Sequence, residues 1–266
     1  MALAIAIVVT LITLISVGVF AAKIWWFPPN ISTHGGAIDQ QIVLTMIITG
    51  VVFVLAQLAL GYLVWRHRDR GDGSRARFFH GNNKLELTWT VAAAIMFIGL
   101  NLMGYRIWAG IHFVGPEPGA MQVEVWGQQF AWYFRYPGPD GKFGPTYVEK
   151  ISDSTANYLG LDREKDADSK DDIVTSTLAI PVNRPVQLTL RSKDVTHSFW
   201  VRELRIKQDL VPGMVIPIHF TATQTGRYEI ACVELCGLGH FRMRAFFQVQ
   251  SDEDFQKWLQ SMAEAQ

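Results

Sequence analysis

Apolar residues fill three long stretches of the first 112 positions and then break into short alternating runs. The stretches run from about Ala2 to Ala22, Ile42 to Trp65 and Leu87 to Ile111. Each reaches the roughly 20 residues that a helix needs to cross a bilayer. Three transmembrane helices are therefore predicted, at about 2–22, 42–65 and 87–111. Trp25, Trp26 and Phe27 follow the first stretch, Trp65 closes the second and Trp108 lies near the end of the third. Those are interfacial aromatic positions. The first stretch lacks a basic n-region and exceeds the roughly 7–15 apolar residues of a signal peptide, so it reads as a retained helix.

From Met121 the period changes to two. Val123 and Val125 alternate, as do Val186, Leu188 and Leu190, and again Tyr228, Ile230 and Cys232. Strands are predicted at 122–126, 130–136, 177–180, 186–190, 215–220, 227–232 and 244–249, separated by turns such as Pro137–Gly141 and Pro212-Gly213. This spacing of half-buried strands is that of a sandwich. Between about 149 and 172 there is no period, and eight acidic residues face four basic ones. That segment reads as a solvated insertion loop, with an acidic surface that steers a basic partner as the functional alternative. At the end, Ser251 with Asp254 resembles a capping box, and Phe255, Trp258, Leu259 and Met262 form one helical face. The expected fold class is a membrane-anchored all-β domain. Three transmembrane helices (1–112) precede a β-sandwich (113–250), and a short C-terminal amphipathic helix (251–266) closes the chain.

Charge adds orientation. The net charge is zero, from 24 Lys+Arg and 24 Asp+Glu, which gives no reason to expect nucleic acid. Residues 1–64 carry only Lys23 and Asp39. The loop between the second and third helices carries Arg66, Arg68, Arg70, Arg75, Arg77 and Lys84 against Asp69 and Asp72. By the positive-inside rule this loop is cytoplasmic. The N-terminus is then cytoplasmic too, and everything after about residue 112 is outside. The expected location is a bacterial inner membrane, with the β domain on the periplasmic face.

Candidate chemistry concentrates in CVELCGLGHFRM, residues 232–243, which hold the only two cysteines of the chain. Cys232, Glu234, Cys236, His240 and Met243 offer thiolate, imidazole and thioether, the ligands of a soft metal and above all of copper. Gly237 and Gly239 allow the chain to turn tightly between them. The best candidate for a second imidazole is His197, in Asp194-Val-Thr-His197-Ser198. One Cys, two His and an axial Met would make a mononuclear electron-transfer copper. With a second Cys, two thiolates facing two imidazoles can bridge two metal ions, and the Glu234 carbonyl could complete the set. A Cys-x3-Cys disulfide and a structural zinc are the competing readings; zinc gains nothing from Met243.

The stretch resembles subunit II of haem-copper cytochrome c oxidases. The family pattern is Cys-x-Glu-x-Cys-x3-His-x2-Met with an upstream Asp-x2-His-Ser, present here as Cys232, Glu234, Cys236, His240 and Met243 with Asp194, His197 and Ser198. The segments Lys207-x-Asp209-x2-Pro212-Gly213 and Glu86-x2-Trp89-Thr90 extend the resemblance over about residues 40–250. It implies a cupredoxin-like sandwich carrying two copper ions (CuA). Cys232 and Cys236 would bridge them, His197 and His240 would each cap one copper, and Met243 and the Glu234 carbonyl would be weak ligands. It further implies that the Glu234 side chain reaches a Mg or Mn ion at the interface with subunit I, and that Glu86 lies near a proton-path entrance. For Glu86 the plain alternative is a carboxylate at the membrane surface.

The implied function is the electron-accepting subunit of an aa3-like oxidase. It would take electrons from a c-type cytochrome, soluble or within a supercomplex, and pass them to haem a in subunit I, where dioxygen is reduced and protons are translocated. Subunits I and III and membrane lipid are the implied partners, and no residue of this chain is implied to catalyse dioxygen chemistry. There are departures. The first helix is additional to the usual two. The aromatic patch, commonly Gly-His-Gln-Trp-Tyr-Trp, is here Gly127-Gln-Gln-Phe130-Ala-Trp132, so electrons would enter at Trp132 or Phe130. The pattern FAWYFRYPGPDG and the acidic insertion resemble bacterial forms associated with alternative complex III. Other functions weighed are a membrane-anchored copper-delivery or copper-sensing module, a quinol-oxidase subunit, whose relatives lack the copper ligands, and a disulfide-stabilised structural domain.

Overall fold

The computed structural model describes residues 1–265 other than 74, 76, 77 and 79, so Arg77 of the basic loop lies outside the described residues. Helices α1 (Ala2–Ala21), α2 (Gly35–Arg66) and α3 (Asn83–His112) are each long and apolar enough to span a membrane. A helix satisfies its own backbone, which is what a bilayer demands. Helix α2, at 32 residues, starts well before the apolar run at Ile42. Its first turns, Gly35–Gln41, are polar, and a length of roughly 48 Å exceeds the roughly 30 Å hydrocarbon core. The Ser32 hydroxyl accepts the Gly35 N–H at 3.0 Å as this helix begins. At the start of α3 the Asn82 side chain accepts from Lys84 N and Leu85 N at 3.1 and 3.2 Å.

Two units emerge from the chain. One comprises Met1–Phe27 and Ala37–Trp108, the other Pro28–Gly36 and Ala109–Gln266. In the first, Ala6 and Thr13 of α1 are buried, and a Cβ on Gly61 of α2 would stand 3.6 Å from Thr10 Oγ1. Small residues thus let these two helices approach.

The second unit is a β-sandwich. One sheet runs in the order β3 (Ile173–Thr175), β2 (Ala131–Tyr136), β1 (Met121–Gln128), β5 (Pro185–Ser192), β8 (Ile216–Thr221). The other runs β4 (Thr177–Pro181), β10 (Arg244–Gln250), β9 (Gly226–Cys232), β6 (His197–Val201), β7 (Ile206–Leu210). Val123, Val125, Phe134, Leu188 and Leu190 from the first sheet meet Leu178, Ile180, Phe199, Ile230 and Phe247 from the second in one core. The Tyr136 hydroxyl joins the layers, donating to Ala179 O at 2.9 Å and accepting from Ala179 N at 2.7 Å. Burial raises the Tyr136 phenol above its usual range, so it stays protonated and can donate. After the short helix α4 (Ala167–Lys170), the tail forms α5 (Asp252–Glu264). Ser251 caps it, accepting Asp254 N at 3.1 Å, and Phe255, Trp258, Leu259 and Met262 pack against the core as their spacing predicts.

Residues 28–36 are part of this sandwich unit. Ile31 is fully buried, its N–H donates to Glu203 O at 3.0 Å, and its carbonyl accepts from Thr223 N at 2.7 Å. Ser32 Oγ donates to Leu204 O at 2.9 Å.

The acidic insertion departs from the solvated loop expected of it. Leu159, Leu161, Ser169 and Asp172 within it are buried. The cause lies on the outward face of the first sheet, where Glu124 and Arg135 are cross-strand partners. Arg135 pairs with Glu124 at 3.1 Å and with Asp172 of the insertion, and Glu124 also takes Arg191 Nε at 2.9 Å and Trp126 Nε1 at 3.0 Å. Buried charges persist only when paired, and the insertion supplies both cover and counter-charge.

Candidate metal centre

Two loops at one end of the sandwich carry the candidate ligands. His197 opens β6, and the β9–β10 connection supplies the rest. Phe199 pairs with Cys232 across the β6–β9 ladder, which places the two loops side by side. The β9–β10 loop is pinched at its neck, where Cys232 N donates to Met243 O at 3.1 Å. It then closes with a single 3-10 turn, His240–Arg242. Gly237, at φ +136°, makes the sharp bend that turns the chain back.

The donor atoms converge. His197 Nδ1 lies 3.9 Å from Cys232 Sγ, and the Glu234 carbonyl oxygen 3.2 Å from the same sulfur. The sulfurs of Cys232 and Cys236 are 3.9 Å apart. Cys236 Sγ lies 3.6 Å from His240 Nδ1 and 3.7 Å from Met243 Sδ. His197, Cys232 and Cys236 have ligand atoms within 4.8 Å of one another, and all three residues are buried. Both cysteines are free thiols, so the disulfide reading is not the one this structure adopts. A gap of 3.9 Å leaves points on either side of the sulfur–sulfur line within bonding reach of both sulfurs, taking a metal–sulfur distance of about 2.3 Å. An imidazole then faces each sulfur from outside. The residues fit a pair of soft metal ions.

The electrostatics prepare this site. Burial would raise the Cys232 thiol, but hydrogen bonds with His197, the backbone of Ser198 and Glu234, and His240 outweigh it and bring the pKa down to about 6. Burial and the neighbouring Cys232 sulfur push Cys236 up to about 11. At neutral pH the metal-free pair therefore holds one proton. Burial would lower the His197 imidazole, yet its contacts with Cys232 and Asp194 hold it above its ordinary value. Asp194 Oδ1 binds His197 Nε2 at 2.8 Å and so directs Nδ1 to the sulfur. Carboxylate partners of this kind fix the ring and tautomer of metal-binding histidines. Asp194 was legible as part of the sequence pattern, but its orienting role needed the structure.

Gly127, which the sequence shows only as the start of the aromatic patch, lies against His197. A Cβ there would stand 3.0 Å from His197 Cδ2 and 3.1 Å from Cγ, so the bare strand lets the imidazole lie against it. Trp132 is 2% exposed, with its ring centre 6.1 Å from that of His197 and edge-on to it. Phe130 is half-buried at the surface, and a Cβ on Gly239 would reach within 2.4 Å of its ring. Of the two aromatic positions expected to receive electrons, Phe130 is outer and Trp132 inner. The Glu234 side chain is exposed. Leu235, Leu238 and Phe241 beside it are 77%, 97% and 85% exposed. Glu86 lies in the first turn of α3, in the helical unit, and is exposed.

Comparisons with known proteins follow the same division of the chain. The family model for the periplasmic domain of cytochrome c oxidase subunit II matches residues 121–249, and the one for its transmembrane domain matches residues 26–107. The alternative cytochrome c oxidase subunit 2 of Bradyrhizobium diazoefficiens is 37% identical over 260 residues, covering 97% of this chain and 91% of the relative. Cytochrome c oxidase subunit 2 of Cereibacter sphaeroides is 27% identical over 88% of this chain and 78% of its own length. Among solved structures, the periplasmic domain of subunit II of cytochrome oxidase from Bradyrhizobium japonicum is 26% identical, covers 56% of this chain and 97% of that domain, and aligns with a TM-score of 0.41.

Proposed function

The chain belongs to the cytochrome c oxidase subunit II family, and on that premise we propose that it is the electron-accepting subunit of an aa3-like haem-copper oxidase. As a family member it is a membrane-anchored part of an oxidoreductase complex, assembled with other oxidase subunits. Loaded with two copper ions, its centre would accept electrons from a c-type cytochrome and pass them to haem a in subunit I, where dioxygen is reduced to water coupled to proton translocation. The observation that carries this reading is the chain of six donor groups across two loops, each link 3.9 Å or shorter.

In this reading Cys232 and Cys236 would hold the two ions together, with His197 and His240 as the imidazole donors and Met243 and the Glu234 carbonyl as the weak donors. Two loops rooted in the strands of a sandwich hold these groups nearly still, which suits electron transfer because little has to move when the charge changes. The exposed apolar cluster of Leu235, Leu238 and Phe241 is the face we assign to subunit I, since exposed patches of that kind mark contact surfaces. The Glu234 side chain stands beside it, placed to share a Mg or Mn ion across the contact. Subunit III and a c-type donor, soluble or within a supercomplex with alternative complex III, complete the proposed partners. Electrons enter over Phe130, with Trp132 behind it against His197. Glu86, exposed in the first turn of α3, takes the proton-path entrance.

The chain's own path supports an orientation. Residues 28–36 belong to the β unit, which favours placing the linker between α1 and α2 on the same side of the membrane as the β domain. The basic loop after α2 is then on the opposite side, as the positive-inside rule requires of a cytoplasmic loop. We therefore assign the β domain to the periplasmic face of a bacterial inner membrane.

Purified oxidase should contain two coppers per chain of this subunit, with near-infrared absorbance and a mixed-valence electron paramagnetic resonance spectrum. A chain isolated with no copper and an oxidised Cys232–Cys236 pair would sink the reading. A second expectation concerns pH. Copper must displace the proton on Cys236, whose pKa is about 11, while Cys232, at about 6, is already a thiolate at neutrality. Copper affinity of the metal-free chain should rise about tenfold per pH unit above neutrality. The dependence should steepen toward acid, where Cys232 and the His197 imidazole, held above its ordinary value, also carry protons that the metal must expel. A competition titration against a chelator of known affinity, run from pH 5.5 to 9, measures both slopes; a flat profile would contradict the proton accounting.

A further inference from the structure

The ligands reach the metal centre from two loops that lie 35 residues apart in sequence. On the inner side the loops are joined by a short stretch of ladder, Phe199 opposite Cys232 and Trp200 opposite Ala231, with Val233 N donating to Ser198 O at 3.2 Å. On the outer side Gln129 spans them. Gln129, in the turn between β1 and β2, donates its backbone N–H to Asp194 Oδ2 at 2.7 Å. The other oxygen of that carboxylate holds His197 Nε2 at 2.8 Å. The Gln129 side chain reaches the opposite way and donates Nε2 to the Cys236 carbonyl at 2.6 Å.

We propose that Gln129 is a positioning residue for the copper pair, holding His197 through Asp194 with its backbone and Cys236 through its side-chain amide. The inference rests on the two-copper reading above. Its chemistry is restrictive. Both targets are pure acceptors, a carboxylate and a carbonyl, so the clamp must donate in both directions. The backbone supplies one donor whatever the side chain, and the amide supplies the other at the right reach. A Cβ on Gly237 would stand 2.8 Å from Gln129 Nε2 and 3.1 Å from Phe130 Cζ, so the loop leaves room for this contact and no more. The same turn carries Phe130, so the surface proposed to meet the electron donor is bonded directly to both ligand loops. A displacement of the turn is felt at both sulfur-facing imidazoles, through Asp194 at one and through the Cys236 loop at the other.

The test uses the intact oxidase carrying Gln129→Ala, Gln129→Glu or Gln122→Ala. Copper content of the unmodified complex is measured first; finding no copper would sink the two-copper reading and leave the role of Gln129 a separate matter of structure. Given two coppers, Gln129→Ala should lose them to a fixed excess of chelator about 10-fold faster or more, the scale of losses seen when a support of a metal ligand is removed. It should also show altered copper hyperfine structure and a displaced midpoint potential. Gln129→Glu, nearly the same shape but with an acceptor facing the Cys236 carbonyl, should release copper at least as fast. Gln122→Ala removes an equivalent amide from the opposite end of β1, one that donates to Ala120 O at 3.0 Å, and should behave as unmodified protein. Wild-type release rates and an unchanged spectrum in both Gln129 variants would overturn the proposal, and so would an equal effect of Gln122→Ala.

Discussion

On the two-copper proposal, Cys236→Ser is expected to strip both coppers from the chain and to slow cytochrome c oxidation by the assembled complex at least about 100-fold, beyond the 10–100-fold typical of losing a ligand's support. Cys236 is the hub of the centre. Its sulfur touches Cys232 at 3.9 Å, His240 at 3.6 Å and Met243 at 3.7 Å. Serine keeps the size but offers a hard hydroxyl that does not ionise near neutrality, where soft metals want thiolate. One thiolate cannot bridge two ions as two do, so the remaining donors could hold one copper at most and in a different geometry. Elemental analysis, the near-infrared band and turnover check the three parts of the expectation. Two coppers with turnover near that of the unmodified complex would show that Cys236 is not a bridge.

Arg135→Met should destabilise the β-sandwich by about 3–5 kcal/mol, the usual cost of leaving buried charges without their partner. Both of its carboxylate partners are buried. Glu124 keeps Arg191 at 2.9 Å, but Asp172 loses the guanidinium bonded to it and the insertion loses its bolt. Replacing all three residues, Glu124→Gln with Arg135→Met and Asp172→Asn, should recover most of the loss, because the fully buried charges are then gone and Arg191, freed of Glu124, is partly exposed to water. Thermal melts of the two variants decide the matter. If the single variant melts with the unmodified protein, the cluster is incidental to the fold. Copper binding should persist in both variants below their melting temperatures, since none of the three residues touches a ligand loop.

The sequence yielded these two features unequally. The loop 232–243 could be read in full because all its donors are local, and His197 followed from the need for a second imidazole. The strands with clear alternation, such as Val186–Leu190, emerge within a residue or two of their expected bounds. Strand β6 escaped notice because His197, Ser198, Phe199 and Val201 are all buried, which erases the period of two. Strand β7 lacks apolar alternation in Lys207-Gln208-Asp209, and β3 has only three residues at the end of the acidic segment. The Glu124–Arg135–Asp172 cluster was invisible for another reason. Its members are 11 and 37 residues apart, and one of them sits in a segment whose composition reads as solvated. A charged residue within each of two apolar strands is the available hint. Gln129 looks like any surface amide until its two acceptors are seen.

The linker at residues 28–36 bears on how the β domain could be produced by itself. A fragment cut just after α3 would start near the first strand and would leave Ile31 and Ser32 behind. It would carry an open apolar slot where Ile31 sits, and the Glu203, Leu204 and Thr223 backbone groups that Ile31 and Ser32 occupy would be stripped of those partners. A sticky, leaky fragment is the foreseeable product. Grafting the nine-residue linker back, or supplying it as a peptide, would plug the slot, so the segment between the first two helices is a piece of the sandwich as well as a connection.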